Sequence, residues 1–126
     1  MENLSAEQVK QLADNFMKMA NALGNYRYNA IDNLTEEQNL KIKELHNQQL
    51  THTTELYTKS AVLVLADAEE ALSKIKVITE ASEGLYKKLT NVQNILDRAS
   101  SILNLSSAIL ALDVMAVTER IQDLIT

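Results

Sequence analysis

The residues that could hold a metal or move a proton are two histidines, His46 and His52, and a scatter of carboxylates. Helical di-iron bundles place Glu-x-x-His on one helix face, so that both side chains reach a shared ion. Here His52 precedes Glu55, which is the reverse order and occurs once, and His46 follows Glu44 by two residues, a spacing that points the pair to different faces. The ligand set of a metal centre is missing, so neither a metal nor a cofactor is expected. Cysteine is absent, which excludes a thiolate zinc site, a disulfide framework and a cysteine nucleophile. There is no glycine-rich phosphate loop, nucleophile elbow or paired-carboxylate motif. The acidic residues from Glu36 to Glu70 read as the solvated face of an amphipathic helix. Catalysis is not expected.

Charge narrows the partners. The 126 residues carry a net charge of −5, divided as −1 over residues 1–33, −4 over 34–84 and 0 over 85–126. Lys87-Lys88 is the only adjacent basic pair. A nucleic-acid partner requires a cationic surface that displaces counterions, and no segment supplies one. The opening Met1-Glu2-Asn3-Leu4 lacks the basic start and apolar run of a signal peptide. The expected location is cytoplasmic, or exported without a cleaved signal.

The elements that must position any working residue are helices. The chain has no proline, only Gly24 and Gly84 as glycines, and 46% apolar residues. Few turns and long regular elements follow, because compact folds with many turns consume both residue types. Strands are disfavoured for the same reason. Five aromatics leave aliphatic side chains to build the core, as suits helix-on-helix packing. The expected fold is all-α: one domain of three long amphipathic helices over 6–32, 35–81 and 85–124, forming an antiparallel hairpin or bundle with coiled-coil-like packing.

Local signals set these bounds. Ser5-Ala6-Glu7-Gln8 and Thr35-Glu36-Glu37-Gln38 fit capping boxes, with the hydroxyl residue as N-cap and the glutamine reaching back. Val9, Leu12, Phe16, Met19 and Leu23 alternate steps of three and four, the signature of one helix face, and Tyr26 and Ala30 continue it past Gly24. In the second helix a seven-residue step joins Leu50, Tyr57, Val64, Ala71 and Ile78, with Thr54, Ala61, Ala68 and Ile75 between. The cluster Thr51-His52-Thr53-Thr54 is a weak spot at which this helix could break into two, giving four. Ser82-Glu83-Gly84 reads as the turn to the third helix, where Leu89, Leu96, Leu103, Leu110, Val117 and Leu124 repeat every seven residues beside Ile95, Ile102 and Ile109. A sustained heptad keeps one seam on a partner along the whole helix.

Two groups on these helices are candidate working residues. Leu96, Ile102, Leu103, Ile109, Leu110 and Val117 form two adjoining apolar seams, more than one intramolecular partner need cover, and are the expected intermolecular contact. His52, Ser106, Asp113 and Arg120 are polar at seam positions and read as register-fixing contacts. A turn centred on Glu83 would set His52 against Asp113 and Arg120 against His46. The expected function is therefore non-enzymatic self-assembly through helix packing, the partner being the protein itself. The alternatives are an adaptor, immunity or chaperone-type module that takes another helical protein, and a membrane-active protein that exposes Ala99 to Leu112. That uncharged stretch is shorter than the roughly 18–20 residues a bilayer span needs.

Overall fold

The structure is a computed structural model that describes residues 3–59, 63–88 and 91–125. It is all-helical, with no β-strand among the described residues: α1 (Ala6–Ala30), a 3-10 turn (Ile31–Asn33), α2 (Glu36–Thr58), α3 (Ala68–Lys87), α4 (Val92–Leu110) and α5 (Val114–Ile125). Both capping boxes form. Ser5 Oγ accepts from the Gln8 amide at 3.1 Å while Gln8 Oε1 accepts from the Ser5 amide at 2.9 Å, and Thr35 and Gln38 exchange the same pair at 3.1 and 3.0 Å. These satisfy amide donors that the first helical turn leaves without partners.

α1 packs on α2 along one side and on α3 along the other. It is antiparallel to α2, because Arg27 meets Asn39 at one end and Tyr57 meets Asp14 near the other. It is parallel to α3: Gln8 and Glu69 line one open groove between them, and Asn25 and Tyr86 line the next groove along. The chain must therefore cross from one side of α1 to the other. It does so beneath the first turn of α1, where Asn3 bridges Val64, the Leu4 amide donates to the Leu63 carbonyl at 2.8 Å, and Leu4, Leu63 and Leu65 are buried. α4 then runs along α2, and α5 folds back between α4 and α3 to close the ring. One apolar cluster runs through all five helices.

Three expected boundaries are corrected. The expected helix over 35–81 is two helices. The threonine cluster stays helical, and Thr51, Thr53 and Thr54 each donate a hydroxyl to the carbonyl four residues back. The break comes later, across the crossover, and Asp67 restarts the helix by accepting from the Glu70 amide at 3.2 Å. The turn expected at Ser82-Glu83-Gly84 is helical within α3. α4 begins after Asn91, whose side chain caps the Gln93 amide at 2.8 Å. Leu89 and Ala61, both assigned to seams, lie outside the described residues.

The third correction divides the expected helix over 85–124. The break is a Schellman turn: the Leu112 amide donates to the Ile109 carbonyl and the Asp113 amide to the Ala108 carbonyl, both at 3.1 Å. Glycine ordinarily holds the left-handed position of this motif, yet here it is Leu112, at φ 60°. Asp113 then caps α5, accepting from the Ala116 amide at 3.1 Å. A branched side chain in that backbone region costs roughly 1–2 kcal/mol. Leu112→Gly should therefore raise unfolding stability by about 1 kcal/mol. Urea denaturation of the dilute protein measures this, and an unchanged or lower midpoint would refute the assignment of strain.

Candidate functional site

The buried polar groups of this fold lie between helices, so they are the place to look for chemistry. At the α2–α4 interface, Gln49 Nε2 donates to the Ala99 carbonyl at 3.1 Å, and His52 Nδ1 meets Ser106 Oγ at 2.7 Å. Numbers rise together on the two helices, so α2 and α4 are parallel.

A histidine on a serine hydroxyl is also the first requirement of a serine nucleophile. The geometry argues against that use. Ser106 is only 1% exposed, and its hydroxyl proton goes to the Leu103 carbonyl at 2.9 Å. Its remaining capacity is then as an acceptor, which matches the His52 tautomer protonated at Nδ1. No carboxylate among the described residues pairs with His52 to orient the ring as a base. The pair bonds α2 to α4.

His52 and Ser106, both expected at register-fixing positions, are thus brought together. The expected His52–Asp113 and Arg120–His46 pairings are not formed. Asp113 caps α5, and Arg120 is exposed. The antiparallel register that would have matched them required α2, α3 and the end of α4 to form one hairpin. Instead α2 and α4 run parallel, after a crossover and a turn.

A second polar cluster was not apparent from the sequence. Arg98, half-buried on α4, donates to Ser82 Oγ at 2.8 Å, to the Ile78 carbonyl at 3.2 Å and to the Leu124 carbonyl at 3.2 Å. Ser82 in turn donates to the Ile78 carbonyl at 2.7 Å. A cation without a carboxylate is tolerable here because Leu124 lies in the last turn of α5, where unpaired carbonyls and the helix dipole present negative charge. One guanidinium so joins α3, α4 and α5. Burial lowers the Arg98 pKa, and the nearby Tyr86 opposes that. Burial raises the Tyr86 pKa well above its ordinary range; its hydroxyl has no hydrogen-bond partner among the described residues. The only signal in the sequence was Ser82, taken there as part of a turn.

At the α1–α2 interface His46 explains Gly24. A β-carbon at Gly24 would lie 2.8 Å from His46 Nε2, so the glycine lets the imidazole lie against the α1 backbone. Burial, and then the charge of Arg27, lower the His46 pKa below 6.5. Nearer the other end, Asp14 joins Lys10 and Tyr57, and that hydrogen bond to the carboxylate pushes the Tyr57 pKa up to about 12.

The expected intermolecular residues are corrected by their burial. Leu96, Ile102, Ile109 and Val117 are core residues of the single chain, and Ile109 is 0% exposed. Leu103 and Leu110 are partly buried against the same core. The surplus apolar surface inferred from two adjoining seams is taken up by α5 folding back. A charge at Ile109 would break the fold before it broke any assembly.

Among the described residues, two clefts lie on the surface beside α1. The clefts of about 790 and 550 Å³ between α1 and α3 are open and lined by amides and long charged chains such as Gln11, Lys18, Asn25 and Lys87. Among the described residues no group of three or more potential ligands could hold a metal ion, and no helix is long and apolar enough to cross a membrane.

Two outcomes follow. Arg98→Met keeps the packing of the stem but removes three hydrogen bonds, and should lower stability by about 1–3 kcal/mol. Amide exchange should accelerate in α5 more than in α1, and uniform acceleration would contradict the anchoring role. For His46, the unfolded chain takes up a proton first as pH falls through about 6.5, because the folded pKa lies lower. Stability therefore declines below that pH and levels off once the folded pKa is passed. His46→Gln should lose this part of the pH dependence; identical profiles for the two proteins would contradict it.

Comparison with known proteins adds no relative: no family model, no curated protein and no solved structure matches this chain.

Proposed function

We propose that this protein works without catalysis, through helix packing, and that its partner is a second copy of itself. One observation carries the reading. The turn between α4 and α5 and the first turn of α5 hold out two large apolar side chains, Leu112 at 44% and Met115 at 76% exposure. Exposed apolar groups favour contact with another apolar surface, since each removed from water contributes on the order of 1–3 kcal/mol. Leu112 also occupies a backbone position at which glycine would be less strained. A side chain kept there against its conformational preference fits a role for the side chain itself.

A second reading is a module that receives a helix of another protein. It is favoured by Tyr28, Ile31 and Leu40, exposed around the connection from α1 to α2 at the other end of the bundle. An amphipathic helix would present its apolar side to such residues.

Light scattering coupled to size exclusion separates the two. Self-association appears as a mass that rises above the 14.1 kDa of one chain with concentration. Met115→Glu should move that transition to roughly tenfold higher concentration, the equivalent of about 1.4 kcal/mol. A wild type that remains monomeric at every accessible concentration would remove self-association and leave the second reading.

A further inference from the structure

The α4–α5 turn joins three observations. The seven-residue repeat of Leu96, Leu103, Leu110, Val117 and Leu124 passes through it without a change of register. The bend holds neither glycine nor proline and places Leu112 at φ 60°. The helix beyond it, α5, is seated by Val117, Ile121 and Leu124 and by the Arg98 bond to the Leu124 carbonyl. A sequence patterned for one continuous helix is thus folded into a hairpin at a strained residue.

We infer that copies of this chain associate by exchanging α5: α4 and α5 straighten into one helix, and α5 occupies the groove between α3 and α4 of the second copy. This rests on the self-association reading and specifies its form. The occupant of the groove is defined by the fold itself, because the second copy's α5 reproduces every contact it makes in the closed chain. Those contacts cancel in the balance between closed and exchanged forms. What remains is the relief of the left-handed residue in each chain, the loss of the Asp113 cap, and the new contact where the two hinges meet. Short hinges under strain favour such exchange. In a two-fold dimer the straightened hinges pass each other near the axis, and Leu112 and Met115, exposed in the closed chain, lie on the segments that meet there.

The absence of cysteine permits a direct test. Asn104→Cys and Asp123→Cys, both at exposed helical positions, are spin-labelled together and diluted into unlabelled protein, so that only distances within one chain are read. A straight helix rising about 1.5 Å per residue separates them by about 28 Å, whereas neighbouring antiparallel helices hold them within about 15 Å. The dimer should give the long distance and the monomer the short one. Leu112→Gly, which relieves the closed form, should weaken the dimer about tenfold, and Asp113→Ala, which removes the α5 cap and favours continuous helix, should strengthen it. A dimer that retains the short distance overturns exchange while leaving self-association intact. A wild type that is monomeric throughout overturns self-association, and exchange with it.

Discussion

The fold depends on the burial of α1 along two opposite sides. A helix covered on both flanks needs partners on both, and its two partners are consecutive in the chain. The connection between them therefore has to pass around an end of α1, and the end it uses is the one fixed by the Ser5–Gln8 capping box. There the Leu4 amide and the Leu63 carbonyl satisfy each other, in a stretch where neither helix supplies a partner. From this crossing follow the parallel pairing of α1 with α3, the placing of α4 beside α2, and the gap into which α5 folds.

Polar side chains in the interior are reconciled with burial by a common device. Thr53, Thr79 and Ser82 each donate to the carbonyl four residues earlier in the same helix, leaving an oxygen able to accept from elsewhere. Ser82 uses this capacity for Arg98, and Ser106, bonded to the carbonyl three residues earlier, uses it for His52. Gln49 satisfies its amide on the Ala99 carbonyl, whereas its own oxygen has no partner among the described residues. The interfaces are thereby aligned at discrete positions, since a one-residue shift of α4 would separate His52 from Ser106.

Fold class and the course of α1 were legible in the sequence because both follow from strong local signals: capping boxes, an apolar step of three and four, and almost no turn residues. The seam of α2 was not. Its buried face is Ile42, Leu45, Gln49, Thr53 and Leu56, and the two polar members disguised it, so that Leu50, Thr54 and Tyr57 formed a better apolar pattern. The break before α3 was masked by seven-residue spacing that persisted by coincidence into the extended run Leu63-Val64-Leu65, although Asp67 followed by Glu69 and Glu70 is a legitimate helix start. In the last third the repeat was read correctly and its path was not. Ile95, Ala99, Ile102, Ser106 and Ile109 form the buried line, with the leucine series on its shoulder. The bend at Leu112 carries no glycine to announce it. His52 and Ser106 were identified as special by polarity, but Arg98 was not, because an arginine on a helix gives no sign that its partners are carbonyls.

The crossing beneath α1 also governs how this chain reaches its structure. The α1–α2 and α4–α5 hairpins are built from neighbours in sequence, whereas the α1–α3 and α2–α4 pairs join residues about fifty or more positions apart, as in the Gln49–Ala99 bond. Closing loops of that size precedes the burial that rewards it, so folding is slower than for a simple up-and-down bundle of equal length. The α1–α2 hairpin is tied by Arg27 and Asn39 near its turn. Until residues 63–65 pass beneath it, the flank of α1 that receives α3 remains wet. The encounter of two such half-formed chains at that stage is a competing route, and its weight grows with concentration.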